Sequence, residues 1–127
     1  MVKFKTFMVA KAVVCLALGV PIFFAPVFLY GLFGAMLGAG GAFVGREYAA
    51  AMLGAMFMTW LVRDVTDPTL QKPILWWLLV YDLIGAVITL IAITSGVLNW
   101  LGWGAFAIYL FFAVGGAYLL FFKSQST

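Results

Sequence analysis

Four long apolar stretches, separated by short polar or glycine-rich connections, run along this 127-residue chain. They cover residues 6–24, 43–62, 74–93 and 100–122. Each is close to the roughly 20 residues that a helix needs to cross a hydrocarbon core about 30 Å thick. The pattern predicts an all-α protein, with one domain built as a bundle of four transmembrane helices.

The connections predict where these helices begin and end. Pro21 and Pro26 would kink or end the first span, because proline lacks the N–H that a continuing helix needs. Residues 31–45 are glycine-rich and uncharged, which favours an outer loop with a short interfacial helix. In the polar loop that follows the second span, Pro68 and Pro73 stand where a helix begins. The predicted interfacial segment carries Phe28, Leu32, Phe33, Met36 and Leu37.

The composition requires lipid as the solvent. Hydrophobic residues make up 67% of the chain and charged residues 9%, against about 45–50% and about 25% in soluble domains. So little polar surface does not cover so much apolar side chain in water, and we expect a multi-pass membrane protein. Most of the seven basic and four acidic residues lie at span ends, so they form no nucleic-acid-binding stripe.

The positions of the basic residues predict the orientation, because Lys and Arg accumulate on the cytoplasmic side of a membrane protein. With four spans, both termini and the loop between the second and third spans lie on one side. Only Arg46 lies on the other side, so we expect both termini in the cytoplasm. The basic residues on the predicted cytoplasmic side are Lys3, Lys5, Lys11, Arg63, Lys72 and Lys123.

Asp82 is a charged residue in the middle of an apolar span. It lies nine residues after Pro73, roughly 13 Å along the helix and close to the membrane midplane. A carboxylate there costs about 2.5–3.5 kcal/mol, so it must face protein and find a partner. Lys11, six residues after Lys5, reaches a similar depth with its flexible side chain. Two interpretations stay open: an ion pair that joins the first span to the third, or a site that titrates a proton or contacts a ligand.

Glu47 is the third member of this candidate ligand or proton site. It follows Arg46 at the start of the second span, and consecutive helix residues point about 100° apart. We expect Arg46 to reach the headgroups and Glu47 to look inward. For Glu47 we favour a structural role, a stabilising interaction with the helix dipole, over a role in the site. The predicted inward face consists of Glu47, Ala50, Ala51, Gly54 and Met58.

No catalytic or metal-binding pattern occurs in the sequence. Histidine is absent, which removes the commonest general base and metal ligand. Cys15 is the only cysteine, so it has no partner within the chain. We expect no catalytic residues, no metal and no required cofactor; a bound lipid, quinone or pigment would be held without histidine. Tyr81, Tyr109 and Tyr118 either line a pocket with Asp82 or serve packing alone.

Several short motifs occur along the chain: Pro26 before a Phe-rich segment, Arg46-Glu47, Arg63-Asp64, Ser95-Gly96-Val97-Leu98-Asn99, Leu101-Gly102-Trp103 and Tyr109. Together they resemble the small bacterial four-helix membrane proteins grouped as DoxX-like. The resemblance covers nearly the whole chain and implies a four-helix bundle in the bacterial inner membrane, with no common activity. Some DoxX-like relatives are linked to quinone or thiosulfate oxidation, but Cys15 stands alone here and no residue matches such a redox role.

Two functions are predicted. The first is an accessory or scaffold subunit of a larger respiratory or photosynthetic membrane complex, acting through contacts with helices, lipids or a hydrophobic cofactor. Its partners would be membrane lipids and other integral-membrane subunits, or a second copy of the chain. Ala113, Gly115 and Gly116 would let a neighbouring helix approach, unless they pack only within the protein's own bundle. The alternative is an autonomous lipid- or quinone-binding protein, or a small transporter, that uses Asp82.

Overall fold

The computed structural model describes residues 3–123, whose regular structure is entirely helical. The predicted all-α class is therefore confirmed. The last helix ends in a short π-helical segment that continues the same rod. The helices are α1 (Phe4–Phe24), α2 (Pro26–Leu32), α3 (Ala39–Leu61), α4 (Pro68–Thr94) and α5 (Gly102–Tyr118), with the π-helical segment Leu119–Lys123.

Three of the described helices are long and apolar enough to cross a membrane: Phe4–Phe24, Pro68–Thr94 and Gly102–Phe122. These three indicate a membrane protein. Helix α3 has 23 residues, two more than α1, but Arg46 and Glu47 make its N-terminal half more polar.

The long helices are arranged as two pairs, in which α1 packs against α3 and α4 packs against α5. We call one end of the bundle the basic end, because the start of α1 and the loop between α3 and α4 meet there. Lys5 on α1 forms an ion pair of 2.9 Å with Asp64, which follows α3. The hydrogen bond from Lys5 holds the pKa of this exposed carboxyl below its usual value. The contact also shows that α1 and α3 run in opposite directions.

The other end, which we call the α2 end, is held together by Asn99. Its backbone N–H donates to the carbonyl of Phe33 at 2.7 Å, and its side-chain amide donates to the carbonyl of Leu32 at 2.9 Å. Gly34, in the same loop, has a φ of 85°, in the left-handed region that favours glycine. A Cβ on Gly34 would crowd Asn99. The loop after α2 is thus fastened to the turn between α4 and α5.

The short helix lies earlier in the chain than predicted. Pro26 begins it, because the missing proline N–H needs no acceptor at the first position of a helix. The helix therefore covers Pro26–Leu32, while most of the predicted interfacial segment after Leu32 is an irregular loop. Helix α3 then begins at Ala39, four residues before the predicted start of the second span at residue 43.

Helix α4 also begins earlier than the predicted residue 74. The side chain of Asp67 accepts a hydrogen bond of 2.9 Å from the Thr69 N–H, which caps the first turn and starts the helix at Pro68. Pro73 consequently lies inside the helix rather than at its beginning. The added turns place Asp82 fifteenth of the 27 residues of α4, at the middle of the helix.

Buried apolar side chains close the bundle at its basic end. The ring of Phe7 on α1 packs on Phe112 of α5, with 5.3 Å between the ring centroids. Leu75 and Leu78 of α4 are fully buried in the same cluster. These contacts join the two helix pairs, so the pairs share a core in the half of the bundle that contains both ends of the described segment.

Two adjacent glycines on α5 differ sharply in the space around them. A Cβ on Gly115 would lie 2.5 Å from a ring carbon of buried Phe7, whereas one on Gly116 would lie 3.7 Å from its nearest neighbour. We expect Gly115→Ala to lower the free energy of unfolding by about 1–3 kcal/mol through overpacking. Gly116→Ala should change it little. Unfolding in mixed micelles with rising SDS measures both, and equal stabilities for the two variants would contradict this packing.

Candidate functional site

The predicted ion pair between Lys11 and Asp82 is present at the centre of the bundle. Lys11 Nζ donates to Asp82 Oδ1 at 2.7 Å. The two residues are 3% and 0% exposed, so the pair is removed from solvent. A charge at this depth without a partner would be strongly destabilising, and each residue neutralises the other. The pair connects α1 of one helix pair to α4 of the other.

The two ends of this ion pair are solvated unequally. Lys11 Nζ lies 4.7 Å from the ring centroids of both Tyr81 and Phe112, so two aromatic faces help to stabilise the ammonium group. Asp82 Oδ2 is also buried, but no hydrogen-bond donor among the described residues reaches it. The carboxylate therefore keeps one acceptor atom unused inside the protein.

Three tyrosine hydroxyls form a second polar group near the centre. Tyr48 on α3 and Tyr109 on α5 are hydrogen-bonded to each other, and Tyr81 on α4 donates to Tyr48 at 3.3 Å. Each hydroxyl has one hydrogen to donate. Two hydrogen bonds among three hydroxyls leave one hydrogen free for another acceptor. The cluster links α3 to both helices of the second pair.

A cavity of about 500 Å³ lies between the two helix pairs. Its lining extends from Lys11 and Asp82 at the middle of the bundle to Phe33 and Leu98 at the α2 end, and it includes the three tyrosines. The volume is within the 300–1,000 Å³ that is usual for small-molecule sites. The remaining wall is mostly aliphatic, with Leu18 and Ile22 from α1, Leu29 from α2, and Leu101, Ala105 and Ile108 beside or on α5.

The cavity has a closed end and an opening. Toward the basic end it stops at the buried cluster around Phe7 and Phe112. Farther along, Ile88 of α4 and Gly104 of α5 line the cavity and are themselves exposed. The cavity therefore reaches the apolar surface of the protein on the side of α4 and α5.

Glu47 lies outside this site. It is exposed on α3, does not line the cavity, and the predicted inward face around it was wrong. Helix α3 instead turns small residues toward α1, where Gly19 faces Met52 and Leu53 at close range. Small side chains on the buried face let the two backbones approach. The other residues of the predicted face are all exposed: Ala50, Ala51, Gly54 and Met58. The face of α3 that is buried consists of Ala42, Gly45, Ala49, Met52, Ala55 and Thr59.

Arg46 has a structural contact that the sequence did not predict. Its Nε donates to the carbonyl oxygen of Phe23 at 3.0 Å, although the side chain remains exposed as expected. The last carbonyls of a helix have no partners within it, and α1 ends at Phe24. Arg46 therefore caps the end of α1 from the start of α3.

The small residues of α5 lie within the bundle. Ala113 and Gly116 are buried, with Gly116 facing the backbone of α4 near Leu75 and Leu79, and Gly115 faces Phe7. Their predicted role in binding a second protein stays a prediction.

Among the candidate tyrosines, Tyr81 and Tyr109 do line the cavity with Asp82. Tyr118 does not line the cavity. Its ring packs on that of Phe122 instead, with 6.2 Å between the ring centroids. Sequence reasoning missed Tyr48 and Tyr30, which also line the cavity. No pattern in α3 marks Tyr48, because small residues occur on both the buried and the exposed face of this helix.

The remaining chemistry of the site is limited. Cys15 is buried in the cavity wall and is a free thiol. Within residues 3–123, no three His, Cys, Asp or Glu side chains come together as metal ligands. No protein-family model, curated protein or solved structure matches this chain. The DoxX-like resemblance therefore stays a prediction, and the site has to be interpreted from its geometry.

The central ion pair predicts non-additive effects of mutation. Lys11→Met and Asp82→Asn should each lower the free energy of unfolding by about 3–5 kcal/mol, because each strands a buried charge. The double variant should recover much of that loss. SDS unfolding of the four proteins measures the coupling, with Lys5→Met at the exposed Lys5–Asp64 pair as a control of little effect. A double variant as unstable as both losses added would argue against the pair.

Proposed function

We propose that this protein binds a hydrophobic small molecule, lipid-like or quinone-like, in the cavity between its two helix pairs. The observation that supports this is the cavity of about 500 Å³, whose walls are aliphatic and whose inner end carries buried polar groups. Binding sites for small molecules combine these two properties: apolar walls contribute affinity, and a few polar groups fix orientation.

The volume itself favours an occupant. Apolar walls with no atoms packed against them lose dispersion contacts, which is a free-energy penalty. Water is a poor filler for walls that offer few hydrogen bonds. An apolar chain removes the penalty, and the exposed lining residues Ile88 and Gly104 provide a route from the lipid phase.

We also propose that α3 crosses the membrane with the other three helices, in a bacterial inner membrane with both termini cytoplasmic. Support comes from the packing of α3 along α1 and from Arg46, whose Nε is occupied by the Phe23 carbonyl near the α2 end. Lys5 and Arg63 lie at the opposite end, as positive charge on the cytoplasmic side requires. Lys123 lies outside the residues whose side chains are described.

Filling the cavity tests the proposed function. Ala105 lines the cavity, whereas Ala107 on the same helix is exposed on the outer surface and does not line it. We expect the wild-type protein in lipid nanodiscs to bind dodecan-1-ol in native mass spectrometry. Ala105→Phe should weaken binding by occupying part of the space, and the matched control Ala107→Phe should bind like the wild type. Undiminished binding to Ala105→Phe would refute the proposal, and so would a wild type that binds neither dodecan-1-ol nor any other probe with the same twelve-carbon tail.

An accessory-subunit function is the second candidate, favoured by the outward face of α3. Ala50, Ala51 and Gly54 are exposed there, and a Cβ added to Gly54 would meet no atom within 4 Å, so another helix has room to approach closely. Gly54→Leu fits the isolated chain but would block that approach. Native electrophoresis after mild-detergent extraction should then lose a complex that the control Ala107→Leu retains. Migration of the wild type as a single copy would exclude this candidate.

A further inference from the structure

We propose that the cavity selects a ligand with a neutral hydroxyl head group, an alcohol or a phenol, on an apolar tail. The hydroxyl donates to Asp82 Oδ2 and accepts a hydrogen bond from the tyrosine cluster. This inference rests on the proposed binding function and specifies the chemistry of the ligand. It follows from the acceptor left open on Asp82, from the charges at the end of the cavity, and from the number of tyrosine hydrogens.

The Asp82 carboxylate has one hydrogen-bond acceptor that is not used. Asp82 is 0% exposed and lines the cavity, yet its Oδ2 has no hydrogen-bond partner among the described residues. A buried polar atom without a partner is destabilising, and more so when it belongs to a charged group. Oδ1 is already bound to Lys11. A ligand that donates one hydrogen bond would satisfy the carboxylate without disturbing the ion pair.

The charges at the inner end of the cavity balance each other. Lys11 and Asp82 together are neutral, so the end of the cavity has no excess charge to balance a charged head group. A carboxylate or phosphate would lie beside the Asp82 carboxylate, and an ammonium would lie beside Lys11. Neither would be paired, because the ion pair already uses both partners, and an unpaired charge in this environment is strongly unfavourable. The rings of Tyr81 and Phe112 cover the Lys11 ammonium further. A neutral head group fits.

The tyrosine cluster has one more hydroxyl hydrogen than it uses. Tyr48, Tyr81 and Tyr109 share two hydrogen bonds, which leaves one O–H free to donate. The inner end of the cavity therefore offers the open Asp82 Oδ2 acceptor and a spare hydrogen of the tyrosine cluster. A hydroxyl both donates and accepts. An ether, ester or quinone carbonyl only accepts, and it would leave Asp82 Oδ2 unpaired.

Four probes with the same twelve-carbon tail separate head-group recognition from tail burial. They are dodecan-1-ol, its methyl ether, dodecanoate and dodecylammonium, each titrated into wild-type protein in nanodiscs and followed by native mass spectrometry. The alcohol should bind about tenfold or more tightly than the ether, which cannot donate, because a hydrogen bond to a charged acceptor is lost. Both charged probes should also bind more weakly than the alcohol.

A double variant assigns that preference to Asp82. Lys11→Met with Asp82→Leu removes the acceptor and leaves no stranded charge, so alcohol and ether should bind this variant equally. Equal binding of alcohol and ether to the wild type would overturn the head-group inference while leaving the cavity as a binding site. A preference that persists in the double variant would overturn it as well. Failure of all four probes to bind the wild type would overturn the proposed function itself.

Discussion

The architecture depends on the requirement that two opposite charges in an apolar interior remain in contact. Lys11 belongs to the α1–α3 pair and Asp82 to the α4–α5 pair, and their hydrogen bond of 2.7 Å crosses the space between them. The tyrosine cluster crosses the same space from Tyr48 to Tyr109. Close backbone packing occurs within each pair, so these polar contacts set the spacing of the pairs at mid-height. The same side chains thereby fix the width of the cavity at its inner end.

Stability and the candidate site are divided along the length of the bundle. Apolar side chains around Phe7, Leu78 and Phe112 fill the basic half and hold both pairs together. In the half toward the α2 end, the space between the two helix pairs is not filled by side chains, and the cavity lies there. In water such a void would collapse or fill with solvent. In lipid the surrounding phase can itself supply the apolar contacts, so the open half need not be closed by protein.

The sequence predicted the helices and the central ion pair because both follow from strong constraints: unpaired backbone groups are excluded from lipid, and a buried carboxylate requires a cation at its own depth. Only Lys11 satisfied the second condition. The predicted inward face of α3 was wrong because the side of this helix that faces outward is as apolar and as small as the side that faces the protein. Ala50, Ala51 and Gly54 are exposed, whereas Gly45 and Ala49 are buried. The cavity was not predictable, since its volume depends on how two helix pairs diverge.

The fastening at Asn99 connects parts that would otherwise move separately. Helix α2 continues from α1 and contacts α3, so it belongs by sequence to the first pair. Its far end is bound through the carbonyls of Leu32 and Phe33 to the turn of the second pair. Any widening between the pairs at this end must break those two hydrogen bonds or pull α2 along with α4 and α5. Leu29 and Tyr30 of α2 line the cavity. A change in the distance between the two helix pairs at this end therefore also changes the shape of the cavity.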